Sequence, residues 1–273
     1  MYNQLLRKEL TALAHKYGSK NYGQAYAHTL IKSTDAVIFN DVSYNFHKES
    51  WKEIFGNSSY LDRTKKIHSH LKSLPCPAIY EMQSSNSSDA LTMNIFCHPI
   101  IKTWAGVCKL LKVNSLSAIE FGVNGNVKKI KNGVIISDTT EIDIRINNSI
   151  ICECKLTEKD FTSHNKTDVE RYLSFEQVFH KDKLLQTQTE YKNYQLIRNI
   201  LAARQIEGGR FILFCDMRRP DLAQSFFHTV NCIQDRYIDL RTNCEIIYWQ
   251  DVAHVVGKDL KDFLEEKYGI SSY

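Results

Sequence analysis

Proline and glycine are scarce in this chain, with 4 and 11 in 273 residues, and neither clusters into a linker or low-complexity tract. The composition is that of an ordinary globular protein, long enough to bury a sizeable core. No charge of one sign dominates. The formal net charge of +4 makes no case for a nucleic-acid partner by itself. No apolar run approaches the ~20 residues that span a bilayer. The opening "MYNQLLRKEL" lacks the apolar stretch of a secretory signal. The eight cysteines follow no repeating spacing, and Cys108, Cys152, Cys154 and Cys215 sit in apolar runs. They read as buried thiols, not as a disulfide framework. No C-x-x-C or H-x-x-x-H spacing occurs, so His98, His164 and His180 do not read as zinc ligands. An intracellular, reduced, soluble protein is expected, cytoplasmic and without a membrane partner.

What is present falls into two parts. Residues 4 to 33 carry a helical apolar pattern through Leu5, Leu6, Leu10, Leu13 and Ala14, and "SWKEIFGNSSYLDRTKKIHSHLKSL" reads as one or two further helices. The prolines of "LPCPAIYEM" punctuate the chain. They suggest an N-terminal, mostly helical extension over 1–75 and a second domain over 76–273. In the second part, "SSNSSDALTMNIFCHPIIKTWAGVCKLL" starts with Ser and Asp cap candidates, runs on as a helix and breaks at Pro99. The Ser84, Ser85, Ser87 and Ser88 cluster reads first as a helix start and second as a phosphate contact. "LSAIEFGV", "EIDIRI" and "SIICECKL" are strands, the last two joined through Asn147 and Asn148. After the polar loop "TEKDFTSHNKTDVERY" comes a long helix over "DKLLQTQTEYKNYQLIRNILAARQI". "GRFILFCDM" is a buried strand, "PDLAQSFFHTV" a helix, "CEIIYW" a strand and "LKDFLEEKYG" a closing helix ended by Gly269. This order predicts an α/β fold with a mixed sheet flanked by helices.

Two strands carry charges where burial is expected. Side chains alternate across a strand, so Ile151, Glu153 and Lys155 share one face while Cys152, Cys154 and Leu156 form the core face. Glu141, Asp143 and Arg145 likewise share a face. A hairpin through Asn147 and Asn148 brings Asp143 near Glu153. Two close carboxylates repel unless a cation lies between them. Mg²⁺ accepts one or two protein carboxylates and leaves positions for water and phosphate. A neighbouring lysine then helps orient or deprotonate water, which is the chemistry of metal-assisted phosphodiester hydrolysis. A strand with one solvated face, its Glu and Lys paired as surface ion pairs, reads the same way, and the two readings stand level on these residues. Glu141 reads as a strand-edge acid before it reads as a ligand, and Glu158 as either a loop cap or a support to the site. Basic and aromatic residues cluster around Lys16, Tyr17, Lys20, Tyr22, Tyr26, Arg63, Lys65 and Lys66, and again at Arg218 and Arg219. Such groups suit a phosphate backbone.

Asp143 followed ten residues on by Glu153-x-Lys155 resembles the D…(D/E)-x-K signature of the PD-(D/E)xK restriction-endonuclease-like nucleases. Further segments sharpen the likeness. "SSDALTMNIFCHPI", "IEFG", "ECKLTEKDF" and "YQLIRNILA" resemble the SSQA-x-x-FN-like helix, the FE strand, the E-x-K strand ending and the YQLxRN-like helix of one bacterial branch, over roughly residues 84 to 220. The resemblance implies a three-layer core with a central mixed sheet. It implies Asp143, Glu153 and the Cys154 carbonyl as metal ligands, Glu120 as a further acid there, Lys155 as the catalytic lysine and Gln195 beside it. Arg198 and Asn199 would support the site or contact nucleic acid, with Arg218 and Arg219. Mg²⁺, with Mn²⁺ able to substitute, is the implied cofactor. Double-stranded DNA is the implied substrate, cut by a homodimer in restriction or antiviral defence. A binding module without turnover and an RNA or DNA-repair nuclease are the alternatives. The chain departs from the branch at Asp89 for Gln and Met93 for an aromatic, by one extra residue between Phe96 and Pro99, and at Ile142 for the Pro of the signature.

Overall fold

The computed structural model describes residues 1–28, 36–67 and 79–272. In chain order the helices and strands are α1 (Tyr2–Tyr22), α2 (Lys48–Phe55), α3 (Ser58–Thr64), α4 (Ser88–Phe96), α5 (Ala105–Leu110), β1 (Ile119–Asn124), β2 (Lys128–Lys131), β3 (Val134–Ser137), β4 (Glu141–Ile146), β5 (Ile150–Cys154), β6 (Ser163–Asn165), α6 (Lys166–Val169), α7 (Phe175–Val178), β7 (Glu190–Lys192), α8 (Tyr194–Arg204), β8 (Arg210–Cys215), α9 (Pro220–Asn231), α10 (Ile238–Thr242), β9 (Cys244–Tyr248), α11 (Trp249–Val255) and α12 (Lys258–Tyr268). They divide into two compact units. The first comprises Met1–Leu116, Asp216–Arg218 and Tyr248–Tyr273, and the second Ser117–Cys215 and Arg219–Ile247.

The first unit is helical. Its α4 starts where the sequence places it, with the Ser87 hydroxyl accepting from Ala90 N, so the serine cluster begins a helix. A 3₁₀ turn follows at Pro99–Lys102, because proline removes the N–H that would continue the ladder. The expected helix over 4–33 ends at Tyr22, and its last positions lie outside the described residues. So do the end of the second helical stretch and the Pro75 and Pro77 punctuation. Asp89, which departs from the branch pattern, is half of an ion pair with Arg63 at 3.0 Å. Asn94 is fully buried. Its side chain accepts from His47 N at 2.6 Å and donates to Asn45 O at 3.0 Å.

The second unit holds a five-stranded mixed sheet in the order β1-β4-β5-β8-β9, flanked by helices. β1, β4 and β5 are antiparallel, and β5 runs parallel to β8. The β4–β5 turn matches its sequence. Asn147 and Asn148 both adopt positive φ, 50° and 61°, as a tight hairpin turn requires, and Ser149 N closes onto Ile146 O at 3.2 Å. β4 alternates as read, with Ile142, Ile144 and Ile146 at 0% exposure. β5 does not, being buried at every position.

Two segments differ from the sequence reading. The long helix expected from residue 182 begins only at Tyr194. Asn193 stands in the left-handed region, φ 56°, and Glu190–Lys192 pairs instead with β6 inside the expected polar loop. A hairpin unforeseen in the sequence joins β1 to β4. β2 and β3 pair Ile130 with Ile135 and Lys131 with Val134 across Asn132-Gly133, both at positive φ.

Candidate active site

The β4–β5 register pairs Ile144 with Cys152; one step further along it, Asp143 faces Glu153. On its other side Asp143 faces Gly122, since β1 pairs Phe121 with Ile144 and Val123 with Ile142. Gly122 holds φ at 61° and sets no side chain against the carboxylate. Asp143 Oδ2 accepts from Cys154 N at 2.7 Å. The middle of the sheet therefore has one carboxylate on β4 and one on β5, with an open position beside the first.

Glu153 and Lys155 are 1% and 5% exposed. That burial rules out a solvated surface ion pair, which requires exposed side chains. The cover is α8. Leu196, Ile197, Ile200, Leu201 and Ala203 are buried along it, and its polar residues meet the strand charges. Asn199 donates to Glu153 Oε2 at 2.6 Å. Gln195 Oε1 accepts from Lys155 Nζ at 3.0 Å. The Arg198 guanidinium fixes the Asn199 amide through two donors, at 3.0 and 2.8 Å to Oδ1, and also donates to Glu141 O. Arg198 and Asn199 are 2% and 0% exposed. Their burial turns them toward Glu153, not toward a nucleic-acid surface.

Glu153 Oε1 is buried, and its partner is the Lys155 ammonium, with Nζ 2.9 Å away. Burial pushes the Lys155 ammonium down, but Glu153, Glu158 and Asp143 push it further up, so it stays above the ordinary lysine range. Glu158 does this while its Oε2 accepts from Leu156 N at 2.7 Å, so it caps the loop and bears on the site together. The Lys155 charge also lies 5.7 Å from the centre of the Phe161 ring.

Glu120 shares a sheet face with Asp143, but Arg145 engages it at 2.8 Å. It forms no close group with the other two acids: among the described residues the only cluster of three His, Cys, Asp or Glu ligand atoms is elsewhere, at His47, His98 and Asp259. His164 and His180 join no such cluster. Most of the remaining basic candidates are engaged within their own units. Arg219 is fully buried, donates to Leu156 O at 3.1 Å and pairs with Asp221 at 2.8 Å. Arg218 pairs with Asp216 at 2.6 Å and Glu9 at 2.6 Å. Lys20, Arg63, Lys65 and Lys66 pair with Glu266, Asp89, Asp62 and Glu81. Glu141 is exposed at the strand edge.

The donor set of two carboxylates and the main-chain carbonyl of Cys154 is hard oxygen, and one oxygen of the buried Glu153 has, among the described residues, no polar neighbour but the Lys155 ammonium. These residues fit a small divalent cation of the Mg²⁺ type. Sequence reasoning missed the burial of Arg198 and Asn199, although their place just over one turn into an apolar helix was a signal for it. It also missed the Asp138 network below the site. Asp138 accepts from Lys129 Nζ at 2.5 Å, from Thr140 N at 2.7 Å and from the Tyr172 hydroxyl at 2.8 Å. The Tyr172 hydroxyl in turn lies 2.7 Å from that of Tyr194, the first residue of α8.

No described helix is long and apolar enough to cross a membrane. No curated protein and no solved structure matches the chain. A family model described as "Restriction Endonuclease associating with ARP" matches residues 6–269, which takes in the sheet, α8 and every residue of the site, and the chain belongs to that restriction-endonuclease family.

Proposed function

We propose that this protein is a Mg²⁺-dependent endonuclease of the PD-(D/E)xK type that hydrolyses phosphodiester bonds in double-stranded DNA. The observation that carries the reading is the burial of Glu153 and Lys155 under α8, each held by an amide of that helix. A fold that spends two amides and an arginine on orienting a buried acid and a buried ammonium has a use for that acid and that charge. The family supplies the nuclease class.

Asp143, Glu153 and the Cys154 carbonyl would hold the ion, and Mn²⁺ would serve in its place. When bound, the ion lowers the pKa of a water and offsets charge on the phosphate. The chain's own residues do the rest. Asn199 fixes one oxygen of Glu153 and leaves the other facing the site. Lys155 stays an ammonium and offers a hydrogen bond to developing negative charge. Gln195 aims that ammonium. Restriction or antiviral defence is the setting that fits such an enzyme.

The test is cleavage of supercoiled plasmid, and of labelled single-stranded DNA and RNA, with Mg²⁺, Mn²⁺ or EDTA. Lys155→Ala and Asp143→Ala run in parallel. The expected outcome is metal-dependent plasmid cutting that falls about 10²–10⁴-fold in Lys155→Ala and disappears in Asp143→Ala. Cutting that survives both substitutions refutes the assignment. An inert wild type that still binds DNA supports the binding-module alternative.

A further inference from the structure

The geometry points to a second metal site in the first unit, a zinc-type site made by His47, His98 and Asp259. It is independent of the proposed nuclease reading. The three residues come from separate elements. His47 is the N-cap of α2, His98 the N-cap of the 3₁₀ turn at Pro99, and Asp259 stands in the first turn of α12. One ligand atom from each lies within 4.8 Å of the others. His47 Nε2 is 3.2 Å from Asp259 Oδ2. The two rings lie 5.0 Å apart.

Three features separate this cluster from a chance meeting of polar groups. Both imidazoles are 6% exposed, and burial lowers both from the ordinary histidine value. His98 Nε2 is buried and has no hydrogen-bond partner among the described residues, an orphan that a metal would satisfy. His47 and Asp259 line a cavity of about 480 Å³ with Tyr22, Tyr44, Trp51 and Asp262. Two imidazoles and one carboxylate beside an open cavity make three protein ligands with a fourth position left to water or a small molecule.

The donor types choose the metal. Imidazole suits Zn²⁺ and its neighbours, whereas Mg²⁺ and Ca²⁺ need oxygen ligands, of which this cluster offers one residue. Two adjustments accompany binding. Zn²⁺ bonds of about 2.0–2.1 Å at tetrahedral angles place ligand atoms roughly 3.3 Å apart, so the cluster must tighten. Asp259, with 63% of its side chain exposed, is free to swing inward. The Nδ1 atoms accept from Glu49 N and Ile100 N at 3.3 and 3.4 Å, which puts the ring proton on Nε2 in the metal-free protein. Metal binding through Nε2 moves the proton to Nδ1, gives up these long bonds and sets N–H against N–H, so the two cap turns must open slightly as the metal enters.

The experiment uses the full chain, stripped with EDTA and dialysed. Zn²⁺ is titrated by calorimetry, and Co²⁺ by its visible absorption, in the wild type, in Asp259→Asn, in His98→Phe and in Asp143→Asn/Glu153→Gln. The expected result is one Zn²⁺ per chain that the nuclease-site double variant retains. Asp259→Asn weakens it at least about 10-fold and His98→Phe abolishes it. Millimolar Mg²⁺ does not displace it, and Zn²⁺ raises the Tm of the wild type but not of His98→Phe. Asp259→Asn changes an exposed side chain, so the test stands even if His98→Phe does not fold. No Zn²⁺ bound at 100-fold excess over ~1 μM protein overturns the site. So does equal affinity in wild type and Asp259→Asn, or loss of binding in the Asp143→Asn/Glu153→Gln variant alone.

Discussion

Glu153 has two oxygens in two different situations, one accepting from Asn199 and the other 2.9 Å from the Lys155 ammonium. Asn199 therefore decides which oxygen faces the site, and Arg198 decides which way the Asn199 amide points. On the proposed reading, Asn199→Leu keeps the side-chain volume and removes the donor. Cleavage is expected to fall about 10–100-fold, with a higher Mg²⁺ concentration needed for half-maximal rate; an unchanged Mg²⁺ dependence contradicts the role. Lys267 poses the same question in a purely structural setting. It is 1% exposed and donates to both oxygens of Asn45, with the ring of Tyr268 4.8 Å from its Nζ. Burial holds its ammonium well below the ordinary lysine range. Lys267→Met leaves the buried Asn45 Oδ1 without this donor and is expected to cost about 1–3 kcal/mol in a urea melt.

At the scale of elements, the β2–β3 hairpin is tied down at its base by one acid. Asp138 is 4% exposed. Burial alone would raise its pKa, but donors from Lys129, Thr140 and Tyr172 outweigh burial and hold the carboxyl well below the usual range. The stability it contributes is fully present above the unfolded carboxylate pKa of about 3.9. It is lost as pH falls from there toward the lower folded value. Asp138→Asn is expected to cost about 1.5–3 kcal/mol at pH 7. The gap to wild type should narrow at pH 3, and a constant gap across that range argues against the charge.

The same hairpin shows what was legible in the sequence and what was not. Local rules served well where one element decides. The Asn147-Asn148 turn, the Pro99 break, the Ser87 cap and the Gly269 stop at φ 60° all follow from backbone chemistry near each residue. Asn132-Gly133 carried an equally plain turn signal between Ile130 and Val134, and a reading of the chain as three consecutive strands passes over it. Long-range cover was not legible. The charged alternation of "ECK" is that of a solvated face, and only α8, forty residues on from Lys155 at Gln195, makes it a buried one. The start of α8 was hidden for another reason. Asn193 takes a left-handed conformation that asparagine tolerates, and β6 claims the preceding three residues, so a favourable helical pattern gives way to strand pairing. The meeting of His47, His98 and Asp259 depends on three separate elements, and no spacing rule finds it.

At the scale of the whole molecule, the net charge of +4 says less than where the cations are engaged. Arg198 and Arg219 are buried, and Arg218 is paired with two acids. The arginines expected to contact nucleic acid thus hold the protein together. Lys128 and Lys131 stand exposed on the β2–β3 hairpin of the unit that carries the site. Phosphate contacts release counterions, so binding weakens with salt at a slope set by their number, about −0.9 for each phosphate neutralised on duplex DNA. In an Asp143→Ala background, which is expected to remove turnover, duplex binding measured from 50 to 200 mM salt is expected to follow such a line. Lys128→Ala and Lys131→Ala should each reduce the slope by about 1. Arg219→Met should leave the slope alone and lower the melting temperature, because its guanidinium bonds Leu156 O and Asp221 inside the fold. A slope that drops with Arg219→Met and not with the lysine variants would move the nucleic-acid surface away from the hairpin.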